Sequence, residues 1–397
     1  MRTKFLLMTL CLFAVSCKLN EEQVSRKAER IHDNILSVDT HCDTPMRLLR
    51  GSFDLGARND RSCVDFPKMK EGRLDAEFFA IFIGQGPRTP EDYEREHGRT
   101  LEVFDSIKAS VARNQDIAGI ALNPDDALRL KNEGKVAVFI GIENGYPIGT
   151  DITRIGQYYD LGARYITLCH SSNNDICDSS SDKGGPEHNG LSAFGEGMMV
   201  DVSHISDESF YDVLAVTKAP VIASHSSCRA LCENPRNLND DMLQALKKNG
   251  GVIQICILSD YLRQPVPNPE YDAKVRELRE SWRSMGELTM EQQEKRWEEF
   301  SKLKAQYVKL ATIEDAVNHI QHVIDVIGID HVGIGTDFDG GGSIEGCTDA
   351  SMMKNITKEM IRRGYSRDDI ARIWGGNIMR VMREVQAAAS REQSVTN

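Results

Sequence analysis

Six short apolar runs in this chain end in a histidine or a carboxylate, and that pattern narrows the folds open to it. The residues are His41 with Asp43, Glu143, His170, His204, His225 and Asp337. They belong to a set of eight β-type runs at 37–43, 76–83, 136–143, 165–170, 198–204, 221–225, 252–257 and 332–337. Most of these are continuously apolar rather than alternating, as expected of parallel strands covered on both faces. Helical patterns lie between most of them, as at 100–114, 207–217 and 240–248. Strand and helix alternating eight times predict an α/β chain folded as a (β/α)8 TIM-type barrel. Such a barrel carries its chemistry at the C-terminal strand ends, where the histidines and carboxylates stand.

His41 and Asp43 are two residues apart, so on an extended strand both side chains leave the same face and can hold one ion. Imidazole and carboxylate donors suit zinc. A carboxylate can bridge two ions, and the set contains enough donors for two. His32, His97, His188, His319, His322 and His331 fall in polar loops or helical segments, and the expectation for them is a solvated or helix-surface position. The glycines at 340–342 read either as a phosphate cradle after the last strand or as freedom beside a catalytic aspartate.

The chain has 397 residues, enough for one large barrel, and a formal net charge of -12, which argues against a nucleic-acid partner. Arg2 and Lys4 precede an apolar stretch too short to span a bilayer, the layout of an export signal. Ala14, Val15 and Ser16 before Cys17 resemble a bacterial lipobox, with Ala14 where leucine is usual. Lipidation of Cys17 is therefore expected, ordinary cleavage being the alternative, and either places the protein in the periplasm or cell envelope. Of ten cysteines, Cys11 and Cys17 fall in the signal; Cys169 and Cys256 read as buried free thiols within strand runs, and no bridge is assigned.

The expected organisation is a signal at 1–17, a linker or helix at 18–33, the barrel at 34–390 and a disordered tail at 391–397. A charged helical insertion at 261–310 follows strand seven, with Thr289 and Gln292 spaced as a capping box. Strands four and five are joined unusually. Residues 171–189 are rich in Ser, Asn, Asp and Gly, and too little chain remains before the next strand for a full-length crossover helix.

Taken together, several stretches resemble the membrane (renal) dipeptidases, peptidase family M19 of the amidohydrolase-like metal-dependent hydrolases, from about Asn34 to Val381. They are VDTHCDTP at 38–45, VDFPKMKEGRLDAEFFAIF at 64–82, GIENG at 141–145 and LGARYITLCHSSNND at 161–175. GMMVDVSHIS at 197–206, PVIASHSSCRAL at 220–231, NPRNLND at 234–240 and HVGIGTDFDG at 331–340 complete the set. The resemblance implies two zinc ions, one held by His41 and Asp43, the other by His204 and His225, with Glu143 bridging. It further implies His170 beside the substrate carbonyl, Arg236 on the free carboxylate of a dipeptide, Asp337 as acid/base, a bridging hydroxide as nucleophile and a homodimer. A helix that the family carries before the GMMVDVSH segment is absent here. A metal-dependent amidohydrolase acting on N-acyl amino acids or cyclic amides, and an impaired peptide-binding lipoprotein, stand as the alternatives.

Overall fold

Continuous burial is what turns the apolar runs into strands: every residue of Val136–Glu143 is buried, as only a strand covered on both faces can be. In the computed structural model, which describes residues 19–50, 53–190, 199–283, 285 and 289–396, these runs form one parallel sheet. Its strands are β1 (Val38–Cys42), β2 (Ala76–Phe82), β3 (Ala118–Ile120), β4 (Val136–Glu143), β5 (Ala163–Thr167), β6 (Met199–Asp201), β7 (Ile222–Ser226), β8 (Val252–Ile255) and β9 (Val332–Ile334). Eight follow one another in the order β1-β2-β4-β5-β6-β7-β8-β9, a nearly closed barrel with helices between. The ninth, β3, was not expected; it pairs with Val136–Val138 of β4, below the stretch that β5 occupies.

The ring closes between β9 and β1 through few bonds. Asp337 N–H donates to the His41 carbonyl (3.0 Å), and Asp43 N–H to the Phe338 carbonyl (2.8 Å). The barrel floor is apolar: Phe78 stacks with both Phe139 and Tyr165, and Ile378, Met379 and Met382 of the last helix pack in the same cluster. That helix runs Asn377–Thr396, so residues 391–396, expected as a disordered tail, continue it; the alanines at 387–389 favour helix.

Helix boundaries follow their caps. Thr89 caps Pro90–Arg113, which starts ten residues before the expected helix because Pro90 suits the first turn. The insertion after β8 contains helices Pro269–Arg283 and Met290–Tyr307, the second opened by the Thr289–Gln292 capping box. Between β5 and β6 the described chain, 168–190, contains no helix. It is held by its own polar side chains: the buried Asp178 carboxylate accepts from the N–H groups of Glu187, His188 and Gly190. Residues 191–198, the rest of this crossover, and the expected signal with Cys17 lie outside the described residues. The eight described cysteines are free, and among the described residues no helix is long and apolar enough to cross a membrane.

Two histidines expected at the surface are buried. His32 Nδ1 donates to the Arg73 carbonyl (3.0 Å), and its Nε2 accepts from Thr357 Oγ1 (2.8 Å), a hydroxyl that itself accepts from Trp374 Nε1. His319 Nδ1 accepts from Cys228 N–H and its Nε2 donates to the Leu262 carbonyl, both at 3.0 Å. Each ring is fully satisfied when neutral, so protonation would set two donors against each other. Burial pushes both down to about 4 from an ordinary 6.5. A lowered histidine contributes stability above pH 6.5 that is lost as the pH falls toward 4, about 1.4 kcal/mol per unit for each ring. Urea midpoints should therefore drop from pH 6.5 to 4.5, and His32→Gln should flatten the slope by about one proton; an unchanged slope would show that His32 does not titrate this way.

Candidate metal centre

The expected site residues converge at the C-terminal mouth of the barrel. Glu143 ends β4 and is buried, with four imidazoles around its carboxylate. His204 Nε2 lies 3.0 Å, His225 Nε2 3.5 Å and His170 Nε2 3.7 Å from Oε1, and His41 Nε2 lies 3.6 Å from Oε2. His204 and His225 bring their Nε2 atoms within 2.8 Å of each other. Donor atoms fall into three overlapping groups: His41, Glu143 and His225; Glu143, His170 and His204; His41, Asp43 and Asp337. Since each group shares a member with another, the seven residues form one continuous donor wall.

Four of the seven stand beyond their strands, Asp43 by one residue. β5, β6 and β9 end three residues before His170, His204 and Asp337, although the apolar runs continue to those positions. At His204 (φ 73°) and Asp337 (φ 61°) the backbone enters the left-handed region, which breaks the ladder and swings the side chain over the barrel axis. Non-glycine residues held there cost about 1–3 kcal/mol each, so the surroundings must impose it. For Asp337 the Gly340, Gly341 and Gly342 N–H groups do so, all donating to its carbonyl at 2.7–3.1 Å. A Cβ on Gly340 would stand 2.1 Å from Asp43 Oδ2 and 2.2 Å from Asp337 Oδ1. Gly340 therefore makes room for two carboxylates, and the N–H groups of the run bond the Asp337 carbonyl.

Several orienting residues were not anticipated. Tyr165 OH lies 2.8 Å from His41 Nδ1. Ser224 Oγ donates to Asp201 Oδ2 (2.6 Å), which leaves it to accept from His225 Nδ1 (2.8 Å) and fixes the His225 tautomer with Nε2 free. Asp201 also accepts from Thr167 Oγ1 and from the N–H groups of Ser203 and Ser224, tying together β5, β6 and β7. Asp39 accepts from Thr336 N–H (2.7 Å) and Oγ1 (2.5 Å) across the closing seam. A signal existed in the sequence: Asp39 and Asp201 are acids inside apolar runs, two and three residues before a donor histidine.

Electrostatics show what the wall lacks. Burial favours neutral Glu143, but His41 and His170 outweigh it and hold the carboxylate well below its usual range. Burial and Glu143 together push Asp43 well up. Asp337 is raised to about 7, chiefly by burial and against the pull of His41. His41 is lowered by burial yet carried to about 10 by Glu143, Asp43 and Asp337. His204 and His225 are driven well down by burial, hence neutral with lone pairs available. Buried His41 Nε2 and Asp43 Oδ1 have no hydrogen-bond partner among the described residues. Three carboxylates short of positive charge, neutral imidazoles and orphaned donors fit a cationic metal.

Arg236 lies against this wall. It is buried, donates from Nη2 to the His225 carbonyl (3.2 Å), stacks 5.2 Å over the Tyr261 ring and leaves Nε unpartnered. All eight residues singled out in the sequence are thus in one place.

Removing the support of a donor should weaken metal binding without unfolding the chain. Tyr165→Phe strips the partner from His41 Nδ1, and the expected loss is about 10–100-fold in metal affinity. Competition with a chromogenic chelator measures it; an unchanged affinity would mean that Tyr165 does not set the His41 ring.

The model of the membrane dipeptidase family (peptidase family M19) matches residues 25–396. A dipeptidase of Schizosaccharomyces pombe is 32% identical over 94% of this chain and 86% of its own length. The crystal structure of the probable dipeptidase PvdM from Pseudomonas aeruginosa superposes with a TM-score of 0.81 at 29% identity, covering 93% of this chain and all of that one. A metallo peptidase from Rhodobacter sphaeroides, crystallised with a phosphinate mimic of the dipeptide L-Ala-D-Ala, shares the fold at 20% identity and a TM-score of 0.69, covering 88% of this chain and 99% of that one. With its donor wall at the barrel mouth, the chain belongs to the membrane dipeptidase family M19 and is a metal-dependent dipeptidase.

Proposed function

We propose that the chain is a two-zinc dipeptidase for substrates with a free C-terminal carboxylate. His41 and Asp43 would hold one ion, His204 and His225 the other, and Glu143 both. The observation that carries this reading is the buried Glu143 carboxylate, with imidazole nitrogens at 3.0–3.7 Å and orphaned donors on His41 and Asp43 beside it. Ions held by these residues would polarise a carbonyl and make a hydroxide nucleophile available at neutral pH.

The remaining residues have separate work. Of the four imidazoles around Glu143, His170 alone has a substantially open side chain, 26% exposed against 0–8% for the others, which favours contact with substrate over ligation. Its Nδ1 lies 2.7 Å from Ser171 Oγ. With that hydroxyl donating to Nδ1, Nε2–H points into the site, suited to stabilise negative charge growing on the carbonyl oxygen. Asp337, whose carboxylate shares a donor group with His41 and Asp43, would accept a proton from the attacking water and return it to the departing amine. Arg236 presents a desolvated guanidinium whose planar fork accommodates a carboxylate.

The same proposal places the mature enzyme outside the cytoplasm, held to a membrane by lipid on Cys17 and paired as a homodimer. The mass of the mature N-terminus and sedimentation of the delipidated chain test these two points.

Metal analysis of the purified chain, with a panel of L,L and L,D dipeptides and N-acyl amino acids assayed with and without chelator, tests the activity. Two zinc ions per chain and chelator-sensitive dipeptide cleavage are expected. Turnover of N-acyl amino acids alone would move the assignment to an amidohydrolase, and folded, zinc-loaded protein inert on the whole panel would leave a peptide-binding role. Asp337→Asn should keep its zinc and lose about 10²–10⁴-fold in kcat. Arg236→Gln should lower kcat/KM about 10–100-fold for dipeptides and far less for their C-terminal amides. Equal losses on both substrates would remove Arg236 from carboxylate recognition.

A further inference from the structure

Below the donor wall, on the outer face of the barrel, lies a second acidic contact that hydrolysis does not use. Asp39 of β1 and Glu77 of β2 are direct partners in the parallel register, so their side chains leave adjacent strands on the same side. Both residues are 0% exposed. The Asp39 oxygens are engaged by donors: Thr336 N–H, Thr336 Oγ1 and, at 3.4 Å, His41 N–H. Glu77 is placed differently, since neither of its carboxyl oxygens has a donor at hydrogen-bond distance among the described residues. Around it stand Asp39 and the weakly donating Cys42 thiol of β1, and Asp339 beyond β9. Asp339 already has Arg47, Thr44 and Ser62. The residue opposite Glu77 on β4 is Val138. Among the described residues, Glu77 has no ion pair and no hydrogen-bond partner.

An ionised carboxylate without donors or a counter-ion in such a place costs several kcal/mol, and two facing carboxylates cannot both ionise. One proton on Glu77 removes both penalties, because the neutral acid becomes the donor that Asp39 can still accept. We propose that Glu77 is a neutral carboxylic acid that donates a hydrogen bond to the Asp39 carboxylate and so acts as a positioning residue for the closing seam. Asp39 clamps the chain after β9 onto β1, where bridging between the two is sparse, and His41, Asp43 and Asp337 all stand on that seam. Burial, and next to it Asp39, hold the Glu77 carboxyl well above the usual range, in keeping with this geometry.

The test compares the full zinc-loaded chain with Glu77→Gln and Glu77→Met. In the infrared difference spectrum at pH 7, wild type minus Glu77→Gln should show the loss of a neutral-carboxyl C=O band. Glutamine can still donate to Asp39, so that variant should melt near wild type and keep dipeptide turnover within about threefold. Methionine cannot donate; its variant should melt lower and lose at least tenfold in kcat. The absence of a neutral-carboxyl band would overturn the proposal, as would a methionine variant equal to wild type. If Glu77→Met fails to fold, the infrared band and the glutamine variant decide: no band, or a tenfold loss of turnover with glutamine, overturns it.

Discussion

Everything at the mouth of this barrel is arranged around the charge of one buried side chain, Glu143. An isolated carboxylate at 2% exposure is among the costliest groups a fold can bury. Here it is met by imidazoles from four other segments, so the barrel must bring five strand ends to one point before that charge is balanced. Asp43 and Asp337 deepen the requirement, since each adds a carboxylate that Glu143 helps to keep from ionising. A site so short of positive charge is poised for cations. The electrostatic strain of the wall and its affinity for metal are one property.

Holding the donors there takes a second layer of carboxylates that face backbone rather than metal. Asp201 spans β5, β6 and β7 through Thr167, Ser203 and Ser224, and through Ser224 sets the tautomer of His225. Asp39 does the corresponding work at the seam between β9 and β1. Short strands explain why both are needed: β6 and β9 have three residues each and end before their functional side chain. Where the ladder stops, other bonds take over: Ser180 N–H donates to the His204 carbonyl (2.8 Å), and the glycine N–H groups behind Asp337 donate to its carbonyl, at two positions where the backbone is left-handed.

The barrel strands were legible because most are buried on both faces, which writes a continuous apolar run into the sequence, and the donors because each interrupts such a run with a group that burial penalises. Other features left weaker traces. β3 has three residues and pairs on one side alone, too little to stand out from a loop. His32 and His319 sit on polar or helical segments, and only tertiary partners, Thr357 and Arg73 for one, Cys228 and Leu262 for the other, show that they are buried. Gly340 read equally well as a cradle or as slack, since what it makes room for, Asp43, is nearly three hundred residues away. Asp39 and Asp201 carried a signal that reasoning centred on metal ligands passed over.

The crossover between β5 and β6 bears most directly on how the family's chemistry survives in this chain. Tyr165, Ile166 and Thr167 pair in register with Met199, Val200 and Asp201, and the His170 and His204 rings lie 4.3 Å apart. Polar bonds join the apolar packing of Ile176, Cys177, Val202 and Ile205 on this side. Thr167 bonds to Asp201 across the pair, Ser179 Oγ reaches the His170 carbonyl, and Asp178 gathers the loop at 187–190. Hydrogen bonds made by short side chains to nearby backbone need no packed helix above them. The segment rich in Ser, Asn and Asp at 171–189, which contains no helix, is therefore also what supplies bonds that keep both histidines in place.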